Sequence, residues 1–293
     1  MRQALPQGEP SDWPNRHLSR FVEAAGIRWH VQQTHAGEPL LLVHGTGAST
    51  HSWRDIIPIL GAEYSVLAPD LPGHGFTDAV SPARSTIGGM SESLALLLET
   101  LEVTPRYCVG HSAGAVILCR MALDRRIQPA VIVSLNGAFM PLKGAAGVLF
   151  SPLAKLLSRS SFLPRLVSRR AANSANVARV LEGTGSKLDA VGLDLYTRLV
   201  RDPKHVAGAL NMMGNWDLHA FERDLPRLAT PLALLVAAND RTVPPDQARL
   251  VAQRLPHARI QILPGLGHLA HEEEPARVGE AIRTLCRMYG APT

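Results

Sequence analysis

The sequence predicts an α/β protein built on a mostly parallel sheet and interrupted by one helical insertion. Three observations carry this. Between residues 21 and 135, short apolar runs bounded by turn residues alternate with helix-patterned stretches. From about residue 140 to 218 the alternation stops, and no convincing strand pattern occurs. At residue 231 the strand pattern returns. An interruption of about eighty residues exceeds an ordinary connection, which marks it as functional. The expected division is therefore 1–139 and 219–293 as two parts of one core, with 140–218 as the insertion.

Each element has a local reason. Residues 21–33 suggest a hairpin around Ala25-Gly26, and 39–44 form a short apolar strand entering a glycine loop, His44-Gly45-Thr46-Gly47. Residues 52–60 have a helical pattern. Residues 64–69 are a strand followed by the turn Asp70-Leu71-Pro72-Gly73-His74-Gly75. A helix over 91–101 leads to a strand at 106–109, a helix at 115–123 and a strand at 130–135. Inside the insertion, Pro152, Pro164, Gly183, Gly185 and Pro203 punctuate helix-like segments. Strands at 231–236 and 257–263 precede a final helix over 272–288.

Composition narrows the class. The 293 residues are 46% apolar and 19% charged, which suits a globular chain with ample core. Residues 1–15 hold no apolar run of the signal-peptide kind, and no stretch approaches a membrane span. The three cysteines, Cys108, Cys119 and Cys286, sit in apolar settings and read as buried reduced thiols, so a cytoplasmic location is expected. The net charge of +5 is uneven: residues 125–181 contain nine Lys or Arg and no Asp or Glu. No nucleic-acid module or aromatic-interleaved basic strand accompanies that basicity. It points instead to an anionic ligand, a partner or a membrane surface.

The chemistry centres on Gly110-His111-Ser112-Ala113-Gly114. A serine between a strand and a helix, flanked by residues small enough for a tight turn, has the pattern of a nucleophile elbow. A serine hydroxyl needs a base to take its proton, and the base needs an orienting carboxylate. Asp240 follows the strand that ends near Val236, and His268 follows the strand that ends at Leu263, giving the order Ser, acid, His. In a parallel sheet, reactive groups occupy loops beyond the strand ends. Acyl transfer also needs N–H donors for the carbonyl oxygen, and the amides of Thr46 and Ala113 are the candidates. His111, Phe150, Leu153 and Trp216 are candidate substrate contacts. His44 and His74 read as braces of their turns, because no spaced ligand cluster surrounds either, and no metal or cofactor is expected.

With His44-Gly45, Asp70 to Gly75, the Ser112 elbow, Asp240 and His268 in order, the chain resembles the α/β-hydrolase superfamily over nearly its whole length. The resemblance implies an eight-stranded, mostly parallel sheet with residues 140–218 as a cap. Asn136-Gly137 offers no carboxylate where some members place the acid, which favours Asp240. A serine at 112 argues against the branches with an aspartate nucleophile. The segments Ser19 to Gln33, His44 to Arg54, Leu135 to Phe139 and Phe150 to Ala154 are similar to the magnesium-chelatase accessory proteins of bacteriochlorophyll biosynthesis, the BchO type. That resemblance implies a role near magnesium insertion into a porphyrin.

The sequence leaves two readings open. The first is a serine hydrolase of an ester or related acyl substrate. The second is a non-catalytic accessory that binds a tetrapyrrole or the chelatase subunits, with Leu149, Leu156, Leu157, Phe162 and Leu166 among those available for an apolar wall. Leucines interspersed with Lys155, Arg159, Arg165 and Arg169 also suit peripheral contact with a membrane surface.

Overall fold

The computed structural model describes residues 8–141, 162–170 and 173–290. Eight strands form one sheet: β1 (Ser19–Ala24), β2 (Ile27–Gln33), β3 (Glu38–Val43), β4 (Tyr64–Pro69), β5 (Tyr107–His111), β6 (Val131–Leu135), β7 (Leu232–Ala237) and β8 (Arg259–Leu263). Their order is β1-β2-β4-β3-β5-β6-β7-β8. The β1–β2 and β2–β4 pairs are antiparallel, and the other five pairs are parallel. This is the α/β-hydrolase fold, as expected.

Strand periodicity splits the core into two layers. Leu41, Val43, Cys108 and Ile132 face one apolar cluster, shared with α2 (Ile87–Thr100) and α3 (Ala113–Leu123). Leu40, Leu42, Val109 and Val133 face the other, shared with α1 (Ile56–Gly61) and the C-terminal helix. Because helices cover both faces, β5, β6 and β7 are buried at every residue and read as continuous apolar runs. At the sheet edge, β8 leaves Ile260 and Ile262 exposed. All three cysteines are buried and free, and burial pushes the Cys108 thiol well above its ordinary range.

Between β6 and β7 the described residues form helices only: α4 (Leu163–Arg170), α5 (Ser174–Gly183), α6 (Ala190–Arg201), α7 (Pro203–Asn215) and α8 (Leu218–Asp224). Their ends follow local chemistry. Asp189 accepts the Gly192 N–H at the start of α6, and Asp202 accepts the Lys204 N–H at the start of α7, where Pro203 needs no hydrogen-bond partner. Of the residues named for an apolar wall, Phe162 and Leu166 are 62% and 37% exposed, and Leu149 to Leu157 lie outside the described residues.

The remaining helices are α9 (Asp246–Arg254), α10 (Ala270–Glu273) and α11 (Pro275–Gly290). The single helix expected over 272–288 is thus two, broken at Glu274, because Pro275 lacks the N–H that would continue α10. The helix expected over 52–60 is likewise a short 3-10 turn, Thr50–Trp53, followed by α1. Among the described residues, no helix is long and apolar enough to cross a membrane.

Candidate active site

Strand β5 stops at His111 and α3 starts at Ala113, so Ser112 alone makes the turn between them. Its φ of 51° and ψ of −114° lie in a region that L residues rarely occupy. The glycines explain how so sharp a turn fits. A Cβ at Gly110 would collide with the Ala115 backbone, and one at Gly114 with the Val43 carbonyl. Ser112 is partly exposed, while its neighbours His111 and Ala113 are buried.

Asp240 stands in the loop after β7. Its Oδ1 accepts the N–H groups of Thr242 at 2.7 Å and Val243 at 2.8 Å, an arrangement that aims Oδ2 away from its own loop. His268 Nδ1 lies 2.7 Å from that Oδ2, and both residues are buried. A carboxylate accepts, so Nδ1 carries the proton and Nε2 is left with its lone pair.

The backbone of His268 is held as firmly as its ring. Its carbonyl oxygen accepts from His111 Nε2 and from Asn136 Nδ2, each at 2.9 Å. Asn136 Oδ1 in turn accepts the Ala237 N–H at 2.8 Å, and its φ of 49° places the side chain at the end of β6. One side chain, His111, therefore bridges the residue next to Ser112 and the loop that carries His268. Its ring centroid is 4.7 Å from that of His268. Burial holds the His111 imidazole well below its ordinary pKa, keeping it neutral.

The loop after β3 completes the surroundings. Gly45 runs so close to the elbow that a Cβ there would lie 3.1 Å from Ser112 Cβ and 2.9 Å from His111 Nδ1. Gly45 thus sets the loop after β3 against Ser112, and Ala113 follows Ser112 as the first residue of α3. His44 braces this loop: its Nδ1 donates to Gly45 O at 2.8 Å, and Leu71 N donates to its Nε2 at 2.9 Å. Burial lowers the His44 pKa to about 4 against the opposing pull of Asp70. His74 Nδ1 donates to Pro72 O at 3.2 Å. Both histidines are buried turn braces, as expected.

Asp70 organises the adjoining turn. Its carboxylate receives the Thr50 N–H at 2.6 Å, the Phe76 N–H at 3.0 Å and His30 Nδ1 at 2.8 Å. Burial would raise its pKa, but His30 and these donors prevail and hold it well below the usual carboxylate range.

Of the other expected contacts, His111 is a buried strut, and Trp216 lies in the main apolar cluster with its indole N–H on Ser85 O at 3.1 Å. Phe150 and Leu153 lie outside the described residues. Two groups carry no local sequence signal. His205 reaches the loop after β3 from α7. Arg54 pairs at 2.7 Å with buried Glu272, whose other oxygen accepts from Tyr196 at 2.8 Å. Among the described residues, no group of three or more His, Cys, Asp or Glu side chains is placed to hold a metal ion.

Known proteins share this framework. The sequence model of the alpha/beta hydrolase family matches residues 40–281. The magnesium-chelatase 30 kDa subunit of Rhodobacter capsulatus is 39% identical over 269 residues, 91% of this chain and 94% of that one. A thermophilic esterase from Thermogutta terrifontis superposes with a TM-score of 0.70 at 24% identity, over 93% of this chain and 99% of that one. The epoxide hydrolase VrEH1 from Vigna radiata superposes with a TM-score of 0.76 at 19% identity, over 92% and 98%. These two likenesses concern the fold alone. By its sequence, its strand order and its near-complete overlap with such relatives, the chain belongs to the alpha/beta hydrolase family.

Proposed function

We propose that this protein is a serine hydrolase that cleaves an ester or related acyl bond, with Ser112, His268 and Asp240 as its catalytic residues. The observation that carries the reading is the 2.7 Å contact of His268 Nδ1 with an Asp240 carboxylate whose other oxygen is held by two amides. His268 Nε2 takes the proton of Ser112 Oγ as that oxygen attacks the acyl carbon. The N–H groups of Thr46 and Ala113 receive the charge that develops on the carbonyl oxygen. The tetrahedral intermediate collapses as His268 returns the proton to the leaving group. Water, deprotonated by the same imidazole, then attacks the acyl-Ser112 ester and releases the acid. Asp240 keeps the imidazole in the required tautomer and offsets its charge. Residues 140–218 act as the cap over this site.

The relative named as a magnesium-chelatase subunit supports a substrate near the magnesium-insertion step of bacteriochlorophyll synthesis. The same likeness favours a second reading, an accessory that binds a porphyrin or the chelatase subunits without turnover. The acid-free basic segment at 125–181 suits anionic propionates.

Hydrolysis of a p-nitrophenyl ester by the wild-type protein and by Ser112→Ala separates the two readings. The hydrolase reading expects turnover that disappears in the variant while the far-UV circular dichroism is unchanged. Undiminished turnover in Ser112→Ala rejects it. Salt-sensitive protoporphyrin binding by both proteins, without turnover by either, favours the accessory.

A further inference from the structure

Helix α7 meets the loop after β3 and the turn after β4 along a single face. His205, Gly208 and Met212 recur at spacings of three and four, which places them on one side of the helix. His205 Nε2 lies 3.1 Å from Gly47 O, and its Nδ1 accepts the Gly75 N–H at 3.0 Å. A carbonyl only accepts and an amide N–H only donates, so the imidazole carries its proton on Nε2. Gly208 rests directly on Gly73; a Cβ at Gly73 would lie 2.9 Å from Gly208 Cα. Met212 Sδ accepts from Thr46 Oγ1 at 3.6 Å. The helix is itself anchored at its far end, where Asn211 Nδ2 donates to Ser85 Oγ at 2.7 Å.

The loop needs such an anchor. Gly45 and Gly47 flank Thr46, and Gly47 has a φ of 78°. On one side the Thr46 peptide is held through Gly45 O, which accepts from His44 Nδ1 at 2.8 Å and from the Ala48 N–H at 3.2 Å; on the other, the conformational freedom of Gly47 leaves the loop to be held from α7. The Ala113 amide is different, because the elbow and the first turn of α3 already direct it. An N–H that stabilises a developing oxyanion acts by being ordered before the reaction.

We propose that His205 is a positioning residue for the oxyanion loop: its Nε2–H holds Gly47 O and thereby keeps the Thr46 N–H directed at the oxygen of the reacting carbonyl. The proposal rests on the serine-hydrolase reading above. It assigns to the insertion, through α7, a part in completing the site beyond covering it.

Two variants separate this role from simple packing. The amide of His205→Gln reaches the place of Nε2, whereas that of His205→Asn reaches the place of Nδ1. For p-nitrophenyl ester hydrolysis, His205→Asn is expected to lower kcat about 10-fold or more with KM within about 3-fold, and His205→Gln to stay within about 3-fold of wild type. Hydrogen–deuterium exchange of the peptide spanning residues 44–52 is expected to quicken in His205→Asn alone. Equal kcat and equal exchange in the two variants would overturn the proposal, as would loss in His205→Gln with retention in His205→Asn. A wild-type protein without turnover would remove the hydrolase reading; the exchange comparison would then decide by itself whether His205 orders the loop.

Discussion

Asn136 grips His268 by its main chain, donating from Nδ2 to the carbonyl oxygen at 2.9 Å while its own Oδ1 takes the Ala237 N–H. The end of β6 thus locks the loop after β8 to the end of β7. Asn136→Ala removes the donor, leaves a buried N–H unpaired, and puts alanine at a positive φ. The expected cost is about 2–4 kcal/mol in urea unfolding. Because the His268 carbonyl then keeps only the His111 bond of the two, the loop that carries the imidazole is less firmly held, and kcat should fall while KM changes little. Wild-type stability in this variant would contradict the assignment.

Asp240→Asn tests the orientation of the imidazole. The side-chain oxygen can stay on the Thr242 and Val243 amides, which presents an NH2 group to His268 Nδ1. That group donates, so the imidazole must accept at Nδ1 and carry its proton on Nε2, where it cannot deprotonate Ser112. Under the hydrolase reading, kcat drops about 10³- to 10⁴-fold with stability within about 1 kcal/mol of wild type. A stable variant with full activity would remove Asp240 from the mechanism.

The elbow stores strain at one residue and tolerates no bulk beside it. Ser112→Gly relieves the unfavourable φ and ψ and should raise the unfolding free energy relative to Ser112→Ala by about 1 kcal/mol. Gly114→Ala forces a Cβ into the Val43 carbonyl and should lower it by about 3 kcal/mol or more. Thermal unfolding of the three variants reads both signs, and reversed signs would mean that the turn is relaxed.

Acid should destabilise the fold. Burial holds His44, His51, His74, His111, His205 and His271 below the ordinary histidine value, His44 at about 4 and His271 at about 3. The unfolded chain therefore binds more protons below about pH 6.5, and stability present above that value is lost as the pH falls toward 4. Glu272 acts oppositely: burial outweighs Arg54 and pushes its carboxyl up to about 7, so its contribution is full below pH 4.5 and fades as the pH rises through 7. Several histidines outweigh one glutamate. Urea unfolding at pH 5.5 should require about 3–5 kcal/mol less than at pH 7, and Glu272→Gln should widen the gap. A protein equally stable at both values would contradict this balance.

Much of this architecture is legible along the chain, for identifiable reasons. Buried parallel strands such as β5 and β6 appear as short apolar runs, and the elbow glycines appear because neither position accepts a Cβ. Asp240 and His268 stand out because each directly follows such a run. Contacts made across the fold leave no comparable trace. The His111–His268 and His205–Gly47 bonds join residues 157 and 158 positions apart, and nothing near His111 or His205 announces the partner. Along the chain Asn136 stands out only for lacking a carboxylate, whereas its amide has the two-sided chemistry that the position uses. Trp216, a candidate substrate contact by sequence, packs its indole in the core, and its N–H is taken by Ser85.

Covalent trapping tests most directly whether Ser112 is a nucleophile activated by His268. A fluorophosphonate should phosphonylate the wild-type protein once, at Ser112, as read by intact mass and peptide mapping. In His268→Gln the rate should fall about 10³-fold or more. No adduct on wild-type Ser112, or an adduct formed equally fast without His268, would contradict that role.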